Sequence, residues 1–449
     1  MVTLFDAVTF AWLTFWTVRA ARALVHGNRD SIYFVFLVYY FFFGLPLLLD
    51  LVLGQPLLQE FYTVHLVQAD ERASIIYCIY VSMVPVLWWY TARGKATARD
   101  REPDSVDHTD LSALASRFRP FLYLLIVSPL FALLLAPNPQ IYSSYGAVIT
   151  NNFNGSGDDA SYYANIQLSA VLCILGVTGL IASFRRITRI HIILLLPWAA
   201  FAIWIDGKRS IVAFALLLFL YVFWQKGYIP GKRLLLVGVV CGVGLLTFSE
   251  LYQDQVRAIS GSTASFQDRY DNFRVDYGRD QETKLAIFAE LHPDQIHILD
   301  YRGESVLFDL VEYVPRSIYS SKPYPYAEYM TAAMLGIRPR LLTWGVTTSW
   351  LEEAIANFTW FGFIIGPLLI SLICRLGDAC KNEVIRPLTA LVACLLLVLQ
   401  LPAWMPLLYL WILGLALTAV HSWRQNRFQI TAPPALAGLR TQLQRRTTQ

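Results

Sequence analysis

The sequence predicts an all-α polytopic membrane protein with about eleven membrane-spanning helices and one large, mostly helical loop. Hydrophobic residues make up 56% of its 449 residues and charged residues only 15%, a balance too apolar for a soluble globular protein. The apolar residues also occur in runs of about 17 to 25, which is the length that crosses a hydrocarbon core as a helix. The distribution of Lys and Arg between the runs is the third observation, and it predicts the orientation.

The apolar runs divide the chain into four regions. The predicted spans are 5–25, 31–53, 73–91, 119–136, 164–183, 190–205, 210–225, 233–250, 354–374, 387–403 and 406–422. The first lacks a basic n-region and a small-residue cleavage site, so we expect a retained helix. Spans 190–205 and 210–225 are separated by four residues and predict a tight hairpin. Residues 1–250 therefore hold helices 1–8, 251–352 the large loop, 353–423 helices 9–11 and 424–449 a tail.

Basic residues concentrate on one side of this arrangement. If the N-terminus is outside, most Lys and Arg residues fall in inner connections such as 92–118, 184–189 and the tail. The positive-inside rule then predicts a cytoplasmic C-terminus and an external, periplasmic large loop. That loop nevertheless carries ten of the 36 basic residues between 252 and 349, and basic residues on this side need an explanation.

The large loop has an amphipathic pattern that predicts short helices packed as a cap on the bundle. A loop of this length in a compact protein is usually functional when its composition is not that of a disordered segment. Its recurring apolar and aromatic positions are Phe266, Tyr270, Phe273, Tyr277, Ile287, Phe288, Leu307, Phe308, Leu310, Val311 and Val314.

Residues 269–280 alternate guanidinium, carboxylate and aromatic groups. Arg274 and Arg279 are suited to bidentate pairing with phosphate oxygens, and Asp276 between them is a candidate general base. Tyr270 and Tyr277 are candidates for stacking on sugar rings. The alternative is a surface helix in which these Arg and Asp residues form salt bridges with one another.

Two further pairs of cations stand out. Lys208 and Arg209 lie in the predicted hairpin turn, at the level of an anionic headgroup, although two residues snorkelling to the interface would look the same. Arg316 and Lys322 lie in a segment where prolines restrict the backbone, which holds the two cations near each other.

An acid that enters the membrane with a helix is the last candidate group. Glu353 and Asn357 are four residues apart and lie on one helical face. A carboxylate at that depth is costly unless paired, so Glu353 is expected near one of the cations, either as a structural partner or as a general base. His292 is a further candidate base. No Walker or Rossmann pattern and no zinc-ligand spacing occurs, so no cofactor or metal is predicted.

In these residues the chain resembles the Wzy-type polymerases, which join oligosaccharide repeat units in bacterial O-antigen, capsule and exopolysaccharide synthesis. The likeness lies in Gly207-Lys-Arg-Ser210, in Pro315-Arg316 to Lys322-Pro323, and in the Thr-Ser, Glu353 and Asn357-Phe series before a Gly-rich span. The chain departs from the pattern where Thr359 and Trp360 precede Gly362.

The resemblance implies a metal-independent glycosyltransferase of the GT-C type in the bacterial inner membrane. Its substrates would be undecaprenyl-diphosphate-linked glycans, with membrane lipids, a chain-length regulator and a flippase as partners and no nucleic acid. The implied diphosphate ligands are Lys208, Arg209, Arg274, Arg279, Arg316 and Lys322. The implied general base is Glu353, Asp276 or His292, and the implied sugar contacts are Tyr270, Tyr277, Trp344 and Asn357.

Three alternatives stay open. An O-antigen ligase shares the layout and the lipid-diphosphate chemistry. A metal-dependent GT-C transferase would use an acidic pair in an early outer loop, where Asp70 and Glu71 stand. A flippase or transporter would need charges inside the spans, and the middles of the predicted spans carry almost none.

Overall fold

The computed structural model describes residues 1–28, 30–92, 119–146, 157–184, 186–229, 231–252, 265–314, 316, 318–342, 344–380 and 385–431. Within these ranges every regular element is helical, which confirms the predicted all-α fold for the described chain. The inner linker 93–118, part of the loop 137–163 and the tail beyond residue 431 lie outside them.

The described chain contains eighteen α-helices. The first ten are α1 Val2–Val25, α2 Ser31–Tyr39, α3 Leu45–Leu53, α4 Tyr62–Ala69, α5 Glu71–Thr91, α6 Arg119–Leu134, α7 Gly157–Ser183, α8 Arg189–Asp206, α9 Arg209–Gln225 and α10 Lys232–Tyr252. The rest are α11 Phe266–Tyr277, α12 Asp280–Leu291, α13 Glu304–Leu310, α14 Tyr326–Leu335, α15 Trp350–Phe358, α16 Gly362–Ala379, α17 Ile385–Val398 and α18 Met405–Thr431.

Five helical stretches are long and apolar enough to cross a membrane, by length and composition. They are Ser31–Leu53, Glu71–Thr91, Asn165–Ser183, Arg189–Asp206 and Trp350–Ala379. Four shorter apolar helices accompany them, and each of the eleven apolar segments predicted above is helical over most of its length. The chain is therefore consistent with a helical membrane protein.

Helices from the two ends of the chain share one core. Helix α1 packs on α2, α3 and α5, while α16 packs on α5, α15 and α17. The buried side chain of Trp88 joins the two groups, because its indole N–H donates to the carbonyl of Pro367 at 3.0 Å. Its ring meets those of Phe36 and Tyr39 edge to face. Aromatic packing and a satisfied N–H fix α5 against α16.

The large loop folds over one end of the bundle, which we call the capped end. The hydroxyl of Tyr270 donates to the carbonyl of Gly54, just after α3, at 2.6 Å. The guanidinium of Arg279 donates to the carbonyl of Val398, the last residue of α17, at 2.9 Å. Helices α11 and α12 are therefore tied to the ends of bundle helices far away in sequence, as expected of a cap.

The apolar positions of the loop are only partly buried. Phe266 and Leu310 are exposed, whereas Tyr270, Ile287, Phe288 and Phe308 are buried. The amphipathic pattern therefore identified the inner face of the loop helices but also included two positions that face outward.

The predicted span 354–374 is not one continuous helix. Helix α15 ends at Phe358, and Thr359 takes a φ of +55° before a 3₁₀ turn leads to α16 at Gly362. A positive φ is unfavourable for a β-branched residue. The two residues that depart from the Wzy-type pattern, Thr359 and Trp360, form this break.

Gly362 allows the chain to turn back closely against α15, and its replacement by alanine should destabilise the fold. A Cβ there would lie 2.1 Å from the carbonyl oxygen of Ala354 and 2.6 Å from the Cα of Ile355. Backbone atoms cannot move aside as a side chain can, so we expect Gly362→Ala to cost at least about 1–3 kcal/mol. The thermal unfolding midpoint of purified protein in detergent measures the effect.

Gly242→Ala is the matched control, because a Cβ on Gly242 in α10 meets nothing within 4 Å. Alanine at a helical site without a clash should be neutral or stabilising by about 0.5–1 kcal/mol. Equal unfolding midpoints for the two variants would contradict the close approach.

Candidate functional site

The turn between α8 and α9 presents two cations at the capped end. Gly207 ends α8 with a φ of +66°, which the tight turn requires and glycine adopts readily. Arg209 begins α9, and its two terminal nitrogens donate to the two carboxylate oxygens of Asp276. Its side chain remains 16% exposed. The Lys208 ammonium lies 5.0 Å from the ring centre of Tyr163.

The turn between α11 and α12 is held by Arg279. This residue is 1% exposed and donates to the carbonyls of Asp276 at 3.3 Å, Gly278 and Val398. Its guanidinium lies 5.0 Å from the ring centre of Phe42. Desolvation lowers the pKa of Arg279 from its usual value. The two terminal nitrogens of Arg279 thus shape the turn that carries Asp276 and tie it to the end of α17.

Arg274 belongs to a buried group of four charges. It donates to Asp50, to Asp280 at 2.6 Å and to the Tyr270 hydroxyl at 2.7 Å. Lys284 lies 3.6 Å from Asp50 and 3.7 Å from Asp280. Although burial alone would lower it, the two carboxylates hold the pKa of Arg274 well above its ordinary value. The alternative interpretation of residues 269–280, in which Arg and Asp residues form salt bridges, therefore applies to Arg274. One of its partners, Asp50, lies outside that segment.

Arg316 and Lys322 lie together on the outer surface of the loop, as the sequence predicted. Arg316 is exposed and donates to the carbonyls of Lys322 and Pro323. The ammonium of Lys322 donates to the carbonyl of Val314 at 3.1 Å. Desolvation and then the neighbouring charge of Arg316 lower the pKa of Lys322. The structure does not describe Pro315.

Two adjacent acids on α15 have different surroundings. Glu352 accepts from the backbone N–H and hydroxyl of Ser349 and so forms a capping box at the start of α15. Glu353 accepts from the hydroxyl of Ser305 at 2.7 Å, and the Asn357 amide donates to that same hydroxyl at 2.8 Å. Glu353 and Asn357 thus share a face, as their spacing predicted, and meet α13. The expectation that Glu353 lies beside one of the candidate cations is wrong for the described residues, because its partner is a hydroxyl and the charges that act on it are those of Asp309 and Glu352.

His292 lies near the capped end with an acidic partner. Its Nε2 is 2.7 Å from a carboxylate oxygen of Asp70. Asp70 also caps α5, accepting from the backbone N–H groups of Arg72 and Ala73. Although burial opposes the change, the hydrogen bonds from Ala73, His292 and Arg72 lower the pKa of Asp70. In the described residues, no three His, Cys, Asp or Glu side chains are grouped as a metal site would require.

The three predicted aromatic sugar contacts differ in exposure. Tyr270 is buried and bonded to Gly54, while Tyr277 is half-buried with its ring centre 5.5 Å from the Arg209 guanidinium. Trp344 is 41% exposed. Trp344 therefore offers the most accessible ring, and Tyr277 the ring beside a candidate phosphate ligand.

Charged side chains at the capped end form a series in which each lies within electrostatic range of the next, and among the described residues only Arg209 and Asp276 in this series form a direct ion pair. In order they are Arg209, Asp276, Arg279, Glu282, Glu352, Glu353, Asp309, Glu312, Lys322 and Arg316. Burial raises the pKa of Glu282 to about 8 and that of Glu312 to about 7. The series leads from Arg209 in the hairpin to Lys322 and Arg316 in the loop through carboxyl groups that are buried, except for half-buried Glu312.

The sequence reasoning missed several members of this series. Glu282, Asp309 and Glu312 carry no motif, and only their surroundings in the fold make them notable. Glu352 could have been found, because Ser349 and Glu352 have the spacing of a capping box. Ser305 is placed against Glu353 only by the packing of α13 on α15.

No protein-family profile, no curated protein and no solved structure matches the chain.

Proposed function

We propose that the chain is a membrane glycosyltransferase of the Wzy type, which polymerises repeat units linked to undecaprenyl diphosphate at the periplasmic face of the bacterial inner membrane. The proposal includes eleven spans, a periplasmic N-terminus and a cytoplasmic C-terminus. It also includes a chain-length regulator and a flippase as partners. Five apolar helices of spanning length support the membrane part of the proposal.

The observation that carries the proposal is the series of charges at the capped end. It joins accessible cations to a buried carboxylate, Glu353, which is 1% exposed. Transfer of a glycan from a lipid diphosphate needs both: cations for the negative charge that grows on the leaving group, and a base for the attacking hydroxyl. The hairpin turn and the large loop supply the cations, and α15 supplies the carboxylate, at the end of the bundle where the charge rule predicts the outer face.

We assign the diphosphate to the cations that keep some exposure. These are Arg209 and Lys208 in the hairpin turn, and Arg316 and Lys322 in the loop. Arg209 supplies a planar pair of donors, which suits phosphate oxygens. We assign the role of general base to Glu353.

The other predicted site residues receive supporting roles because protein groups already surround them. Arg274 and Arg279 hold the α11–α12 turn, and Asp276 orients Arg209. His292 pairs with Asp70. Tyr277 and Trp344 stay candidates for stacking on sugars, and Tyr270 supports Arg274.

Deletion of the gene followed by gel analysis of surface polysaccharide tests this function. The polymerase proposal predicts that the ladder collapses to a single repeat unit, which is still attached to its final acceptor. Expression of the intact chain should restore the ladder, and expression of Glu353→Gln should not.

Other outcomes would point to the alternatives. Full-length polymer that stays on the lipid carrier would indicate a ligase, and the absence of any surface repeat unit would indicate a flippase. An unchanged ladder would contradict the polymerase, the ligase and the flippase alike. Sensitivity of the reaction to a chelator would favour the metal-dependent transferase.

A further inference from the structure

Large apolar side chains are exposed at the end of α13 and in the turns that follow it. Leu310 is 77% exposed, Tyr313 62% and Ile318 78%. We call the described residues among 310–322 the surface loop. A single exposed apolar side chain is common on proteins, but several in one short segment indicate a surface that contacts another molecule or a membrane.

Hydrogen bonds give the surface loop a defined conformation. The N–H of Val314 donates to the carbonyl of Val311 at 2.9 Å. The guanidinium of Arg316 donates to the carbonyls of Lys322 and Pro323, and the ammonium of Lys322 donates back to the carbonyl of Val314 at 3.1 Å. The loop is thus closed on itself by its own cations, and its apolar side chains are displayed outward instead of packing in the core.

The surface loop adjoins an apolar stripe on α18. The ring centre of Tyr313 lies 6.3 Å from that of Tyr409, near the start of this helix. From there the stripe continues along one helical face through residues that are 47–62% exposed, namely Tyr409, Leu413, Leu417 and Val420. The segment Leu407–Val420 is one of the shorter apolar helices. An exposed apolar stripe on such a helix is suited to contact with lipid, and Tyr313 extends it at the capped end.

The charges of the surface loop select the kind of partner. Arg316 is exposed and Lys322 is half-buried, so two cations accompany the apolar side chains. Lys and Arg can lay their apolar stems along hydrocarbon while their charged ends reach the phosphates, and tyrosine is enriched where a membrane meets water. Basic residues at that level are attracted to anionic lipid. This combination matches a leaflet of phospholipid.

We propose that the surface loop enters the lipid leaflet at the capped end, with Leu310, Tyr313 and Ile318 among the upper acyl chains and Arg316 and Lys322 at the lipid phosphates. The inference stands on exposure and contacts, and it does not need the polymerase function. If that function holds, the same contact places both cations at the depth of a diphosphate that is carried on a lipid.

A fluorescent label at position 318 tests the proposal. The label is attached to Ile318→Cys in the full chain, after replacement of the half-buried Cys241 and Cys380 by serine. The protein is placed as one copy per nanodisc of phosphatidylcholine and phosphatidylglycerol. We expect blue-shifted emission, little quenching by iodide in the water, and strong quenching by lipids that carry a spin label high on the acyl chain.

Tyr301→Cys is the matched control. Tyr301 is 50% exposed in the same large loop, and its neighbours Asp300 and Arg302 are also exposed, so a label there should be quenched by iodide and little by lipid. Equal iodide quenching at the two positions would overturn the proposal. A label at 318 that is shielded from both iodide and lipid would overturn it too, because protein would then cover the loop.

Two further variants test which side chains hold the loop in the leaflet. Leu310→Ser combined with Tyr313→Ser should reduce the lipid quenching at 318 and restore quenching by iodide. Both side chains are exposed, so the core is left intact. Phe266→Ser, which removes a 68% exposed side chain at the start of α11, should change neither signal. Unaltered lipid quenching in the double variant would contradict insertion through these side chains.

The lipid composition tests the role of Arg316. More phosphatidylglycerol should strengthen the lipid quenching at 318, and salt should weaken it, because exposed charges are screened. Arg316→Gln should lose most of this dependence. A dependence that is the same in wild type and in Arg316→Gln would remove Arg316 from the lipid phosphates.

The membrane contact and the polymerase can fail separately. Lipid quenching at 318 in a chain that does not polymerise repeat units would overturn the proposed function, while the membrane contact would stand. Polymerisation by a chain whose label at 318 is in water would overturn the membrane contact, while the polymerase would stand.

Discussion

Replacing Arg209 by alanine is expected to lower the rate of polymerisation about 10²- to 10³-fold. The residue begins α9 at the capped end, and Asp276 orients its guanidinium through both carboxylate oxygens. A donor fixed in this way needs little reorganisation when charge develops on a leaving phosphate, so its loss affects the transition state most. Single-turnover measurement of chain elongation with purified protein and lipid-linked repeat units gives the rate.

The variant also leaves Asp276, whose side chain is 4% exposed, without this partner. A second variant, Arg209→Ala combined with Asp276→Asn, separates the two effects. If the activity is lost because the Asp276 carboxylate loses this ion pair, the double variant regains it, and this result would contradict the role of Arg209 at the diphosphate. Arg340→Ala, which removes an exposed cation from the large loop, controls for net charge and should retain the wild-type rate.

The helices could be predicted from sequence because the length of an apolar run largely decides whether a segment is helical in a membrane. The break at Thr359 could not. Hydropathy does not report a single residue with a positive φ, and the run 354–374 looks continuous. What requires the break is the contact of Gly362 with the backbone of Ala354 and Ile355, which exists only in the folded chain.

The contacts of the candidate site could be predicted where the interacting residues are close in sequence, and could not be predicted where they are far apart in sequence. The spacing of Glu353 and Asn357 predicted their common face, and the turn at Gly207 predicted the adjacent cations Lys208 and Arg209, which are half-buried. The partner of Arg274 is different, since Asp50 lies more than 200 residues earlier in the chain. Local spacing suggests salt bridges within one helix, whereas the structure supplies a carboxylate from the end of α3.

Replacing Arg274 by methionine is expected to destabilise the fold by about 3–5 kcal/mol. The guanidinium is fully buried and is bonded to both Asp50 and Asp280. Breaking a buried ion pair from one side leaves uncompensated charge in a medium that solvates it poorly. Lys284→Met should cost less, because its ammonium lies 3.6 Å or more from both acids and makes no hydrogen bond to either. Equilibrium unfolding in detergent measures both variants.

Lowering the pH should reduce the difference in the free energy of unfolding between wild type and Arg274→Met. In the wild type, although burial alone would raise it, the charges of Arg274 and Lys284 hold the pKa of Asp280 below its ordinary value. That stability is present above the unfolded pKa, about 3.9, and is lost as pH falls through the folded one. In the variant only Lys284 remains to balance the two carboxylates. Protonation of one carboxylate at low pH therefore removes the uncompensated charge and reduces the destabilisation. Combining Arg274→Met with Asp50→Asn should recover part of the loss at neutral pH for the same reason. Two results would contradict the view that Arg274 chiefly neutralises these two carboxylates. One is a difference in unfolding free energy that does not change with pH, and the other is a double variant that is no more stable than Arg274→Met.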